Sequence, residues 1–197
     1  MKLHLIIYNK GEYDPNKFTP IQNRRWNKPM GGLWASPINA RYGWKEWCTK
    51  EQFAVCDISN SCQLVIDGNI MVIDSVKDMD KMPMQREEIN SKAKSYYYGS
   101  AGTVRVPAKS RTLITTFPDF ERMVKRGIDA IYLTEKGESE TRYSKPRSLY
   151  GWDCECVLIL NKGIIQPILQ PSAHITMPTP VTDSEGYAQP VYVNPQY

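Results

Sequence analysis

Three short stretches carry side chains able to do polar chemistry. The first, Gly31-Gly32-Leu33-Trp34-Ala35-Ser36-Pro37, ends a short apolar run on a hydroxyl. The glycines let the chain turn where a side chain would clash, and Pro37 holds Ser36 in an extended conformation. A serine so placed either bonds nearby backbone beside packed tryptophans or presents its hydroxyl in a fixed direction to a ligand. The second stretch is "YGWDCECVLILN", in which Asp153 and Glu155 alternate just where a strand begins and so face one side of it. An acid at the mouth of a buried strand is costly unless it is solvated or hydrogen-bonded. Both residues read either as exposed strand-start carboxylates or as reactive acids. The third, "AIYLTEKGESETR", ends a buried strand near Glu135 and adds Glu138 and Glu140. A solvated acidic loop explains it, with Glu135 as a rival for a catalytic carboxylate.

The remaining reactive side chains offer less. The five cysteines are Cys48, Cys56, Cys62, Cys154 and Cys156. None is spaced as in a zinc knuckle or a redox pair. Cys154 and Cys156 flank Glu155, and their thiols are expected on one side of the strand. With only His4 and His174 to add, no metal site is expected. Reduced, mostly buried thiols of a cytoplasmic protein are the reading.

The elements that position these groups follow from periodicity. "LHLIIY" (residues 3–8) reads as a first strand and not as a signal peptide, because it runs into polar residues without a small-residue cleavage site. Residues 11–31 read as a loop. "GWKEWCTKEQF" has Trp44, Trp47 and Cys48 at helical spacing. "CQLVID" and "IMVIDS" flank Asp67-Gly68-Asn69, which predicts a hairpin. "SVKDMDKM" predicts a helix capped by Asp74 or Ser75, "FPDFERMVKRG" a capped helix ended by Gly127, and "IDAIYLT" a buried strand. Residues 135–152 read as a long polar loop, "CECVLILN" as a strand, Lys162-Gly163 as a turn and "IIQPIL" as a last strand. Strands dominate without regular strand–helix alternation, which predicts an α+β fold with largely antiparallel sheets.

The 197 residues suffice for one core of ordinary composition, with 41% hydrophobic and 23% charged residues. A net charge of +4 permits an anionic ligand without requiring one, and no apolar run reaches membrane-spanning length. Residues 86–116 mix lysines and arginines with three tyrosines, which suits either a solvated loop or a nucleic-acid surface. From 170 to 197 the chain is rich in proline and tyrosine and nearly uncharged. It reads as an extended tail, either a loose terminus or a strap docking on a partner chain or on the body through Tyr187, Tyr192 and Tyr197.

Taken in order, "LIIYN" on the first strand, "WAS" at its turn and "DCECVLI" at a later strand start resemble the ADP-ribosyltransferase superfamily, in its divergent small bacterial and phage forms. The resemblance runs over roughly residues 3–168 by order of elements. It implies a split antiparallel β-sandwich with short flanking helices over residues 1–169, with 86–116 an insertion and 170–197 a tail. It implies NAD as substrate in a bacterial host's cytoplasm, and a protein, nucleic acid or small molecule as acceptor. Glu155 would stabilise an oxocarbenium-like transition state through the ribose 2′-hydroxyl. Ser36 would orient Glu155 or the ribose, and Asp153 would position the acceptor. Tyr8, Trp34 and Tyr42 would wall the nicotinamide, and Arg24, Arg25 or Lys28 would meet the diphosphate. Where many relatives have His-Tyr on the first strand this chain has Ile7-Tyr8, and Asn9 or Arg24 would replace the histidine. A second reading keeps the fold with a decayed site, serving as a binding or structural component of a larger phage assembly.

Overall fold

The computed structural model describes residues 1–8, 11–24, 26–91, 95–99, 102–106 and 111–168. Its elements, in chain order, are β1 (Lys2–Ile7), β2 (Leu33–Pro37), α1 (Trp44–Lys50), β3 (Cys62–Asp67), β4 (Ile70–Ile73), β5 (Met84–Ser91), β6 (Ser95–Gly99) and β7 (Gly102–Val106). They continue with β8 (Arg111–Pro118), α2 (Phe120–Lys125), β9 (Ala130–Leu133), α3 (Glu135–Thr141), β10 (Cys156–Ile159) and β11 (Ile165–Pro167). The architecture is α+β and mostly antiparallel, as the sequence predicts. Seven strands form one sheet in the order β11-β3-β1-β2-β10-β9-β4, in which only β4 and β9 run parallel. Across residues 84–118, β5 pairs antiparallel with β8, and β6 with β7.

Asp67-Gly68-Asn69 does not close a hairpin. β3 pairs with β1 and β11, and β4 pairs with β9 at the far end of the sheet order. In a flat sheet, five strand spacings would separate β3 from β4 by roughly 24 Å, yet the chain from Asp67 to Ile70 spans at most about 11 Å. The sheet must therefore curl until its two ends meet. The polar groups of the turn are taken up by the segment entering β9. The Asn69 N–H donates to the Asp129 carboxylate at 2.9 Å, and the Asn69 side-chain amide donates to the Gly127 carbonyl at 2.8 Å.

Strand alternation sorts the apolar side chains into two cores. Inside the curl, Leu5, Leu64 and Ile66 from one half meet Ala130, Val157 and Ile159 from the other. On the outer face, Ile131, Leu133 and Leu158 pack with Phe120 and Met123 of α2, with Met79 and with Trp152. The expected helix around Met79 is a 3-10 helix, Val76–Lys81. The helix expected over residues 43–53 stops at Lys50, and Gln52 turns the chain with a left-handed φ of 51°. Asp119 caps α2 by accepting from the Arg122 N–H, and Gly127 follows with φ of 74°.

One helix departs from the expected loop: residues 135–141 form α3. The Thr134 hydroxyl accepts from the Gly137 N–H as its N-cap, and Glu135 and Glu138 fill the first turn, where acids suit the helix dipole. Among the described residues, no helix is long and apolar enough to cross a membrane.

Candidate functional site

The outer face of β1, β2 and β10 carries a cavity of about 310 Å³. Its floor comes from neighbouring strands: Ile6, Ile7 and Tyr8 of the first strand and its exit, Trp34, Ala35 and Ser36 of β2, and Cys154 and Cys156 just before and at the start of β10. Trp44 from α1 and Trp152 complete an aromatic wall, and Lys28 and Asp153 bring charge to it. The Trp34 and Trp152 rings meet edge to face at 4.6 Å. The Trp152 indole N–H donates to the Asn27 carbonyl at 2.8 Å, so the loop before β2 is tied over the pocket.

Ser36 is buried, and its hydroxyl oxygen accepts the Trp44 N–H at 2.9 Å. That bond takes up a free donor in the first turn of α1 and fastens Trp44 beside the pocket. The Ser36 hydroxyl is therefore taken up by backbone, and the residue also lines the cavity. Gly43 sits between: a Cβ there would lie 3.3 Å from the Ser36 hydroxyl and 3.0 Å from the Ala40 Cβ.

Asp153 is the acid that faces this cavity. One carboxylate oxygen lies 3.3 Å from the Lys28 ammonium and the other 3.2 Å from the Arg142 guanidinium. Arg142 also binds Glu138 at 2.7 Å, and hydrogen bonding to Glu138 and then to Tyr143 raises its already high pKa. Lys28 lies 5.5 Å from the centre of the Trp34 ring. A flat ring entering the pocket would meet tryptophans on several sides, with a cation and a carboxylate at its edge.

Glu155 lies elsewhere. Its carboxylate accepts the Tyr132 hydroxyl, and its N–H donates to the Tyr42 carbonyl at 3.0 Å. Tyr132 stands opposite Val157 in the β9–β10 ladder and packs with the inner core. Glu155 is thus turned toward the inside of the curl, while Ser36 opens outward. Each has its own hydrogen-bond partner, and Ser36 does not bond Glu155, one of the two partners that the resemblance implies for it. The reason is the bend ahead of β10: Asp153 and Glu155 precede the strand, which begins at Cys156, so strand alternation does not govern them. Burial first, and then the bond to Glu155, push the Tyr132 phenol well above its usual range.

Glu135 forms a two-pronged ion pair with Arg41, at 2.9 and 2.8 Å, which holds its carboxyl below the usual range. It begins α3 and does not line the pocket. Tyr42 packs with the outer core under Lys50, 5.5 Å from its ring, and Arg24 lies outside the lining. Of the residues assigned to NAD, Tyr8, Trp34 and Lys28 share the pocket with Ser36 and Asp153. Asn9, Arg25 and the tail 170–197 lie outside the described residues.

No protein-family model, curated protein or solved structure matches the chain. The site rests on its own geometry.

Sequence reasoning missed Trp152, Arg142 and Tyr132. Trp152 had a signal, since it directly precedes Asp153. Arg142 and Tyr132 had none, because their partners are 11 and 23 residues away. Cys154 and Cys156 do share one side, both facing the cavity. The Cys156 thiol is raised well above its usual range by its bond with Cys154 and by burial. Burial and then Cys56 push Cys48 up to about 11. All five cysteines are free, and among the described residues no cluster of three ligating side chains could hold a metal ion.

Proposed function

We propose that the chain binds NAD in the tryptophan-lined pocket and acts on it as an ADP-ribosyltransferase-type enzyme. One observation carries this reading. Tyr8, Ser36 and Asp153, drawn from the three segments that resemble the superfamily, line a single cavity of about 310 Å³. A cavity of this size suits a nucleotide half rather than a whole dinucleotide. The nicotinamide ring lies among Trp34, Trp44 and Trp152, and Lys28 at the edge meets the diphosphate. Asp153 takes the part that the resemblance gives to Glu155, because it alone of the two lines the cavity. As the bond from ribose to nicotinamide breaks, positive charge grows on the sugar, and a carboxylate bonded to a ribose hydroxyl strengthens its hold.

The test is nicotinamide release from NAD by the purified chain. Asp153→Asn is expected to lower kcat by about a hundredfold or more while leaving NAD binding nearly unchanged, and Glu155→Gln is expected to keep most of the turnover. The reverse pattern would restore Glu155 as the reacting acid.

A second reading has one observation behind it. Asp153 is held by two cations and Glu155 by a phenol, so neither carboxylate is without a partner. In that reading the chain is a nucleotide-binding module without catalysis. NAD binding with no nicotinamide release from the parent protein would support it.

A further inference from the structure

The segments that bring Lys28, Asp153 and its partner Arg142 to the edge of the pocket, its rim, carry aromatic rings that neither core absorbs. Trp26 is 71% exposed, Tyr143 74% and Tyr150 59%. Trp26 stands two residues before Lys28, and Tyr150 two residues before Trp152, so both flank residues that line the cavity. The two segments are joined by the bond from Trp152 to the Asn27 carbonyl. The Tyr143 and Tyr150 rings lie 5.8 Å apart, and the Arg142 guanidinium approaches both, at 5.7 and 5.8 Å. Arg142 in turn grips Asp153 at 3.2 Å, which links this aromatic surface to the acid of the pocket. Nearby in the chain, Arg24 and Lys145 are exposed and form no ion pair among the described residues.

Exposed flat rings interleaved with cations suit one class of partner. Bases of a single strand stack on aromatic side chains, and lysine and arginine track the phosphates. A protein contact also favours tryptophan, tyrosine and arginine but is depleted of lysine at its core, and the exposed Lys145, two residues from Tyr143, favours the strand.

We propose that this rim is a docking platform for single-stranded nucleic acid, and that the docked strand is the acceptor of the ADP-ribosyl group. The second half of this statement rests on the NAD reading; the first does not. In the transfer, a nucleophilic nitrogen or oxygen of the strand bonds to the ribose C1′ as the C1′–nicotinamide bond breaks. Nicotinamide leaves as a neutral amide with the bonding electron pair, and the proton lost by the acceptor passes to solvent.

The experiment is fluorescence anisotropy of a labelled single-stranded oligothymidylate with the full chain, without NAD, across a salt series. Saturable binding that weakens with salt is expected. Trp26→Ala and Tyr150→Ala, both at exposed sites, should each weaken it about tenfold, as loss of one stacked base predicts. A duplex of equal length should bind more weakly. NAD titration of the same variants should match the parent. Absence of oligonucleotide binding at low salt, or binding indifferent to both substitutions, would overturn the platform and leave the NAD reading standing. Self-association of the chain abolished by Trp26→Ala, with no oligonucleotide binding, would assign the surface to a protein contact and likewise overturn it. If oligonucleotide binds as expected but NAD does not, the platform stands and the acceptor role falls. With NAD bound and turned over, label from NAD should appear on the oligonucleotide; its absence would overturn the acceptor role alone.

Discussion

At the scale of single residues, Ser36 illustrates how a side chain can serve fold and site together. Its hydroxyl satisfies the Trp44 N–H, and its position on β2 puts it in the floor of the pocket. Removing the hydroxyl leaves a part-buried N–H without its partner, which costs on the order of 1–2 kcal/mol. Ser36→Ala is therefore expected to lower stability by about that amount in urea denaturation, and to loosen Trp44, seen as a change in tryptophan emission. An unchanged midpoint would mean that water replaces the hydroxyl at no cost. The two acids of "DCE" divide in the same way. Asp153 is kept at the pocket by cations, and Glu155 is kept on the inner side of the sheet by a phenol. Their types and spacing were legible in the sequence. Their directions were not, because the bend before β10 and the distant partners Arg142 and Tyr132 decide them.

At the scale of elements, one close fit and one set of hydrogen bonds make sharp expectations. A Cβ on Gly137 would fall 2.0 Å from the Ile73 carbonyl oxygen, a backbone atom that cannot swing away. The first turn of α3 lies directly on the end of β4, so Gly137→Ala is expected to destabilise by about 2–4 kcal/mol, read as a large drop in Tm. A neutral substitution would mean that α3 does not seat on β4. The second expectation is a pH dependence. The Lys81 ammonium, then the Ser75 hydroxyl and the Asp74 N–H, hold Asp78 at about 2, against an ordinary 3.8. A depressed carboxyl stabilises the fold fully above its unfolded pKa, and that contribution is lost as pH falls through the folded value. Asp78→Asn should therefore flatten part of the loss of stability between about pH 4 and pH 2, measured by urea midpoints across that window. These elements also mark the limits of sequence reading. Short apolar runs marked β1, β3, β9 and β10, and the capping pattern marked α2. The Asp67-Gly68-Asn69 signal was local and lost to a tertiary one, since Asp129 and Gly127 claim the Asn69 donors. α3 was hidden because its polar sequence has no apolar stripe, and its cap, Thr134, reads equally as the end of a strand.

At the scale of the whole molecule, the curl of the sheet separates two environments. The inner core is closed by strands from both halves, while the outer face of β1, β2 and β10 is left to be roofed by α1, Trp152 and the loop at Asn27. The pocket lies under that roof, where the Trp34 and Trp152 rings meet edge to face. The measurement that tests this account most directly is a calorimetric titration of the full chain with NAD, repeated on Lys28→Ala, a substitution at a half-exposed site. The account predicts saturable binding accompanied by quenching of tryptophan emission, weakened about tenfold when the Lys28 charge is removed. No heat and no quenching at millimolar NAD would contradict it.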